Sequence, residues 1–156
     1  VYIGSGSLAG LTREAQLKIL ELTAGKVATI FDSSMGFRHG PKSFINEKTI
    51  MFGFVNNTPY TRDYDLDILE EVHGDEIAAG VFAIAQPGKR NFSGSTIEYS
   101  AETALLPDGY LALADIMVAQ TVALLTSIKV GNKPDTPSPT GTVNRVVKGV
   151  TIYDYK

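Results

Sequence analysis

The chain has 156 residues, of which 44% are hydrophobic and 20% are charged, and its formal net charge is -3. This length and apolar content allow one sizeable hydrophobic core, so we expect one domain. The absence of cysteine excludes disulfides, a cysteine nucleophile and thiolate metal sites, and it favours a reducing, cytoplasmic location. No basic cluster is longer than Lys89-Arg90, which argues against nucleic acid as a partner.

The first predicted element is a short strand at 1–3 that runs through a glycine-serine turn into a helix. Gly4 and Gly6 free the backbone to bend, and the serine hydroxyls are ready to cap the helix. A helix N-terminus presents free N–H groups and a partial positive charge, so we expect Ser5 and Ser7 to help bind a polyanionic substrate. Because the chain opens on Val1, inside a strand and without a signal-peptide pattern, we expect it to be a piece of a longer protein.

The predicted first helix carries one polar stripe between two apolar faces. Glu14, Lys18 and Glu21 are spaced by four and three residues, so they fall within an arc of roughly 60°. An ordinary solvated helix edge with a Glu14–Lys18 ion pair explains this spacing about equally well. The flanking apolar surface instead favours partly desolvated carboxylates, which suit a general base. We therefore treat the stripe as a candidate catalytic site.

Strands and helices alternate along the rest of the chain. We predict strands at 27–31, 49–55, within 76–85 and at 96–99, helices at 62–73 and from about 108 onward, and a loop at 131–141. Short apolar strands between helices are typical of an α/β fold, a three-layer sandwich with a mainly parallel β-sheet. The apolar run at 110–130 approaches membrane-spanning length, but Asp115, Gln120 and Lys129 interrupt it, so we expect a buried or interface helix and no membrane partner.

Three loops follow the first three predicted strands, at 4–7, 32–43 and 56–61. The C-terminal ends of parallel strands share one edge of the sheet, so we expect these loops to converge where such folds bind ligands. His39 lies in the second loop, before Gly40-Pro41, and an imidazole there could shuttle a proton. On chemistry alone, a turn residue or packed hydrogen-bond donor is the better explanation of His39. His73 is explained by its place at a helix C-terminus.

LTREAQLKILELTAGKV, followed by FRHGPKSFI, resembles the sugar isomerase (SIS) domain family over nearly the whole chain. The likeness is strongest to the C-terminal SIS half of the galactosamine-6-phosphate deaminase/isomerases, also called tagatose-6-phosphate ketose/aldose isomerases. The E-x-x-x-K-x-x-E helix together with H-G-P is specific for the isomerase branch. The resemblance implies one SIS domain over residues 1–156, forming the C-terminal part of a tandem-SIS protein.

The resemblance also implies roles for particular residues. Glu21 matches the glutamate that moves a proton between C1 and C2 of the sugar, so we expect Glu21 to face a cleft at the C-terminal ends of the strands. Glu14 and Lys18 match residues that support the substrate site. His39 matches the histidine that opens the sugar ring in a neighbouring subunit's site, which implies a homodimer. Lys148, in NRVVKGVTI, matches a C-terminal lysine near the sugar carbonyl.

The implied ligand is a phosphorylated sugar or amino sugar, and the implied chemistry needs no metal or organic cofactor. Proton transfer between adjacent carbons suits a carboxylate that acts first as base and then as acid. Tandem enzymes hold phosphate in an S-x-S-G-x-S/T loop of the N-terminal half, and the corresponding loop here, NNTPYT at 56–61, lacks those serines and the glycine. We therefore expect this chain to supply catalytic residues and only part of the substrate site.

Two alternatives stay open at this point. SIS domains also occur as sugar-phosphate sensors in regulators, so the fold alone does not decide between catalysis and sensing. A weaker alternative takes Gly4, Gly6 and Gly10 as a dinucleotide-binding fingerprint with Asp32 as the ribose ligand, but the third glycine is displaced by one position. Isomerisation and deamination are not distinguished by the sequence.

Overall fold

The computed structural model of the chain describes residues 1–142, 146 and 148–155. Its helices are α1 (Leu8–Thr23), α2 (Ser34–Phe37), α3 (Pro59–Gly74) and α4 (Asp108–Lys129), with short 3₁₀ turns at Pro41–Phe44 and Ala101–Leu105. Its strands are β1 (Tyr2–Gly4), β2 (Phe31–Asp32), β3 (Ile50–Phe54), β4 (Gly80–Ala85) and β5 (Ser95–Glu98).

The strands form one sheet in the order β2-β1-β3-β4-β5, and every neighbouring pair is parallel. Ile3 of β1 pairs with Gly53 of β3, which in turn pairs with Ala83 of β4. These central strands are apolar and largely buried because helices cover both faces. The predicted parallel sheet is confirmed.

Each face of the sheet carries its own hydrophobic core, and adjacent residues of one strand contribute to opposite cores. Tyr2 packs on the face covered by α1 and α4, whereas Ile3 packs on the face covered by α2 and α3. The first core includes Leu8, Leu11, Ala15, Ile19, Phe54, Ile84, Ala119 and Ala123, and the second includes Phe37, Met51, Val55, Leu66, Ile68, Leu69 and Val72. The predicted three-layer α/β sandwich is therefore confirmed.

Helix α4 packs against α1 along one face and leaves the opposite face exposed. Ala119 and Ala123 are fully buried against α1, where small side chains let the two helices approach closely. The exposed face carries a stripe of apolar side chains, which we call the α4 stripe: Tyr110, Leu113, Met117, Leu124, Leu125 and Ile128. Among the described residues, α4 is the one helix long and apolar enough to cross a membrane by length and composition alone.

Two predicted elements differ in extent from the observed ones. The strand predicted at 27–31 forms only as β2, Phe31–Asp32, at the edge of the sheet, where a strand has one neighbour to pair with. The helix predicted from Arg62 begins earlier, at Pro59, because proline has the backbone geometry of a first helical turn and lacks an N–H that would need a partner.

Candidate active site

The predicted polar stripe on α1 forms a three-residue ion cluster. The Nζ of Lys18 lies 3.1 Å from Oε1 of Glu14 and 2.8 Å from Oε2 of Glu21. The hydrogen bond with Glu21 raises the pKa of Lys18, since it favours the charged ammonium. The side chains of Glu14 and Glu21 are 45% and 37% exposed. The apolar residues beside them therefore cover only part of each carboxylate, and both stay accessible to solvent. A reacting group from outside the chain can therefore reach Glu21.

Glu21 does not face the C-terminal ends of the strands, and that expectation is wrong. Helix α1 starts directly after β1 and runs back along the sheet, so its last turn lies near the N-terminal ends of the strands. Glu21 is fourteen positions after Ser7, which corresponds to roughly 20 Å of helix. The structure thus separates Glu21 from Ser7 by most of the length of α1.

A cavity of about 510 Å³ opens at the same end of the sheet as the last turn of α1. Its wall is mainly apolar and includes Tyr2, Ile19, Ile50, Phe52 and Val122. The Nζ of Lys26, which also lines it, donates to the carbonyl of Val130 at 3.1 Å and to Oδ1 of Asn132 at 2.5 Å. This lysine is engaged in joining the ends of α1 and α4, so we place no substrate in the cavity.

The three loops at the opposite edge do converge, as predicted, and they meet on Asp65 of α3. The Oδ1 of Asp65 accepts hydrogen bonds from Ser5 Oγ at 2.6 Å and from Ser34 Oγ, and its Oδ2 accepts from the backbone N–H of Asn56 at 3.0 Å. Burial raises the pKa of Asp65, while these hydrogen bonds act in the opposite direction. Asp65 is 1% exposed, so it ties the loops together from inside the fold.

Asp65 is not among the predicted site residues, although the sequence carries one signal for it. Arg62, Asp65, Leu66, Leu69 and Val72 recur at the spacing of one helix face, and the apolar members of that set predict a buried face. A charged residue within such a face needs partners inside the protein, because an unpaired buried charge is costly. Two charges in the apolar stripe of α3 were therefore a sign of buried hydrogen bonding at this edge.

The loop at 56–61 presents its first backbone N–H groups to the chain's own carboxylates. The N–H of Asn56 donates to Asp65, and the N–H of Asn57 donates to both carboxylate oxygens of Asp108, at 3.0 and 3.2 Å. Burial raises the pKa of Asp108, and the Asn57 hydrogen bond opposes this effect. Amide groups at this position of an α/β fold are suited to a phosphate. Here two of these amides, those of Asn56 and Asn57, already donate to carboxylates of the chain.

Ser5 and Ser7 do not form the predicted anion site at the start of α1. The hydroxyl of Ser5 is used in the Asp65 hydrogen bond, and Ser7 precedes α1 without a side-chain hydrogen bond to the helix, so the predicted cap is wrong. The first amides of α1 instead donate to backbone carbonyls, Leu8 N to Ser5 O and Ala9 N to Gly6 O. A role of Ser5 and Ser7 in substrate binding stays a prediction.

His39 lies on the other face of the sheet from Glu21. It follows α2, which packs with α3, whereas Glu21 belongs to α1, which packs with α4. The imidazole is exposed, and the His39 backbone N–H donates to Gly36 O at 3.0 Å. The elements that carry the two residues therefore cover opposite faces of the sheet, and no hydrogen bond or ion pair joins His39 to Glu21 in the described part of the chain.

The remaining predicted site residues are placed as follows. Lys148 lies exposed in the segment after α4, outside any helix or strand. Asp32, the ribose ligand of the dinucleotide alternative, accepts a 2.7 Å hydrogen bond from the N–H of Ser33, at the start of α2. Gly10 lies inside α1, beyond the turn that a dinucleotide fingerprint requires. The structure gives the dinucleotide alternative no support.

Comparison with known proteins identifies relatives that are much longer than this chain. D-galactosamine-6-phosphate deaminase AgaS of Escherichia coli O157:H7 is 49% identical over 162 residues, covering 100% of this chain and 41% of the relative. The protein of the same name from Shewanella sp. (strain ANA-3) is 39% identical, over 99% of this chain and 37% of the relative. The chain thus spans about two-fifths of the length of the curated relatives it matches. No protein-family model matches the chain.

Solved structures agree with the fold. The tagatose-6-phosphate ketose/aldose isomerase of Escherichia coli superposes with a TM-score of 0.83 at 41% identity, over 99% of this chain and 39% of that one. The C-terminal domain of glucosamine-fructose-6-phosphate aminotransferase from Francisella tularensis superposes with a TM-score of 0.70, over 85% of this chain and 36% of that one. At 20% identity, the second likeness concerns the fold alone.

Proposed function

Because the chain is an SIS domain, similar over its whole length to part of the galactosamine-6-phosphate deaminases, we propose that it forms the catalytic half of a sugar-phosphate isomerase or deaminase. The proposed reaction is of the galactosamine 6-phosphate to tagatose 6-phosphate type. The Glu14–Lys18–Glu21 cluster is the observation that supports this proposal. It supplies an accessible carboxylate that is paired with a cation, in a chain that is similar to these enzymes.

The proposed chemistry is a proton transfer between C1 and C2 of an opened sugar phosphate. Glu21 takes the proton next to the carbonyl or imine, and an enediol-like or enamine-like intermediate forms. The same carboxyl group then returns the proton to the adjacent carbon, acting as acid after acting as base. With an amino group at C2, the resulting ketimine is hydrolysed to the ketose and ammonia. Lys18 holds the Glu21 carboxylate in place through its 2.8 Å ion pair.

We further propose that the substrate's phosphate is bound outside this chain. The amides of Asn56 and Asn57, which a phosphate would need at this edge, donate to Asp65 and Asp108. Two carboxylates next to a phosphate would repel it. In our proposal the chain is the C-terminal half of a tandem-SIS protein, and a Ser/Thr-rich loop of the other half binds the phosphate.

The position of His39 supports a site completed by a second copy. His39 and Glu21 lie on opposite faces of one sheet, yet the proposed reaction needs ring opening and proton transfer at the same sugar. In our proposal the His39 of a neighbouring copy opens the ring of the sugar that Glu21 deprotonates. We also propose that Lys148 lies near the sugar carbonyl. The α4 stripe offers the second copy a long apolar surface, which a soluble protein rarely leaves uncovered. We therefore propose a homodimer.

Incubation of the full-length polypeptide with galactosamine 6-phosphate, glucosamine 6-phosphate and tagatose 6-phosphate tests this function. Ammonia and ketose are measured in parallel. Ammonia together with ketose assigns the deaminase, whereas aldose–ketose interconversion without ammonia assigns the isomerase. Saturable binding of these compounds without any turnover contradicts the proposal and assigns the sensor function instead.

A further inference from the structure

His39 lies on a segment, residues 33–44, whose backbone is held in one shape. Phe37 N donates to Ser33 O at 2.9 Å, His39 N to Gly36 O at 3.0 Å, and Ser43 N to Gly40 O at 2.9 Å. Gly40 has a φ of 130°, which side-chain-bearing residues rarely adopt, so the chain turns sharply directly after His39. The imidazole is exposed although the backbone beneath it is ordered by these hydrogen bonds.

Two cations flank His39, and both form ion pairs with Glu71 of α3. Arg38, immediately before the histidine, donates from Nη1 to Oε2 of Glu71, and Lys42, three residues after it, donates from Nζ to Oε1. The Nζ of Lys42 also lies 2.7 Å from Oδ2 of Asp75, the residue directly after α3. The two oxygens of one carboxylate therefore bind the residues before and after His39.

The electrostatics of this cluster favour the charged forms of Glu71 and Lys42. The Lys42 hydrogen bond is the main cause of a lowered pKa for Glu71, and Asp75 and Glu71 together raise the pKa of Lys42. A single exposed ion pair contributes little to global stability, typically about 0.2–1 kcal/mol. Its effect on local geometry is larger where, as here, one acid joins two cations on either side of a functional side chain.

We propose that Glu71 is a positioning residue that orients His39 for opening the sugar ring. This inference rests on the proposed function. The side-chain partners of Glu71 are Arg38 and Lys42, so in this proposal it acts through these two cations, which hold the turn at His39–Gly40 against α3. Small displacements of a group that transfers a proton reduce rates strongly, because the reacting atoms must lie within hydrogen-bond distance.

The Glu71→Gln variant of the full-length polypeptide tests the proposal with two substrates. Tagatose 6-phosphate exists mostly as a ring, whereas 5-deoxytagatose 6-phosphate lacks the hydroxyl that closes the furanose ring. Both are labelled with deuterium at C1, and loss of the label to solvent reports proton transfer by Glu21. We expect Glu71→Gln to slow exchange from tagatose 6-phosphate by roughly tenfold or more and to leave the open substrate nearly unaffected.

Asp67→Asn is the matched control, because Asp67 lies on the same helix and pairs with Arg90 at 2.5 Å, away from the histidine segment. It should leave both rates unchanged. In a His39→Ala background, Glu71→Gln should add no further loss, since the group it positions is gone. A melting temperature close to that of the unmodified protein shows that the variant is folded.

Three results overturn the positioning role: equal losses on both substrates, unchanged exchange from the ring form, or a full additional loss in the His39→Ala background. If the unmodified protein exchanges deuterium from neither substrate and releases no ammonia, the proposed function fails and the role of Glu71 with it. Activity of the unmodified protein with an unaffected Glu71→Gln variant contradicts the positioning role alone.

Discussion

The hydroxyl of Ser5 donates a 2.6 Å hydrogen bond to the carboxylate of Asp65, and so joins the end of β1 to the middle of α3. The same carboxylate accepts from Ser34 and from the backbone of Asn56. Three loops of the sheet edge therefore depend on one buried acid. Asp65 thus holds together the carboxyl-terminal edge of the sheet, which is the edge where open α/β sheets bind ligands.

Replacing Asp65 by Asn should destabilise the protein by about 2–3 kcal/mol, because the amide has one acceptor oxygen and turns an NH₂ group towards existing donors. The free energy of unfolding in urea measures this loss. Asp67→Asn, an exposed change two residues away, should alter stability by less than about 0.5 kcal/mol. Equal stability of the two variants would show that Asp65 does not organise the loops.

Glycine at position 53 is required by packing rather than by backbone geometry. A Cβ there would lie 2.8 Å from both methyl carbons of Leu69, a fully buried residue of α3 that packs on β3. Gly53→Ala should therefore cost about 1–3 kcal/mol of unfolding free energy. Gly10→Ala in α1 is the matched control, because its Cβ would meet nothing within 4 Å, and it should stabilise the protein by up to about 1 kcal/mol. Thermal melts of the two variants should shift in opposite directions.

Asp115 of α4 should make stability fall as the pH rises from about 4 to 6. Burial raises its pKa from 3.8 to about 6, and the nearby Tyr99 hydroxyl offsets only part of this effect. The folded protein thus holds a proton that the unfolded chain has already released, so raising the pH through this interval favours unfolding.

The Asp115→Asn variant should remove that dependence. At pH 7 we expect it to be more stable than the parent by on the order of 1–2 kcal/mol, with the difference shrinking towards pH 4. Urea unfolding at pH 4, 5, 6 and 7 provides the comparison. A difference that stays constant across these four values would mean that Asp115 is not the group responsible.

The α4 stripe predicts how the dimer is disrupted. Met117 is 58% exposed at the centre of the stripe, so Met117→Glu would put a charge into the proposed interface. Light scattering should then report a monomer where the parent is a dimer. Ile77→Glu makes the same kind of change at a 52% exposed position outside α4 and should leave the dimer intact. A parent that is monomeric, or a dimer that tolerates Met117→Glu, contradicts the proposed interface.

The sequence predicts the sheet and its helices well because each depends on local pattern. Apolar strands such as 49–55 lack alternation, which requires burial on both faces, and β3 occupies the centre of the sheet. The Glu14–Lys18–Glu21 cluster follows in the same way from helical spacing. These features need no knowledge of what lies on the other side of the sheet.

The relative position of site residues depends on lengths and layers that local pattern does not show. The spacing of residues on α1 does not show at which end of the sheet Glu21 lies. Helix α1 has 16 residues and is roughly 24 Å long, so it runs back from the C-terminal end of the short strand β1 to beyond its N-terminal end. The separation of His39 from Glu21 by the sheet likewise depends on which face each helix covers. Local pattern does not show the role of Asp65, because two of its partners, Ser5 and Ser34, lie 60 and 31 residues away in sequence.

The Glu21→Gln variant of the full-length polypeptide shows whether Glu21 is the catalytic base, with galactosamine 6-phosphate as substrate and ammonia and ketose as products. We expect turnover to fall by about 10²–10⁴ while binding of the substrate, measured by calorimetry, is largely preserved, because glutamine keeps the shape but cannot accept the proton. Near-normal turnover by Glu21→Gln would contradict the assignment of Glu21 as the base.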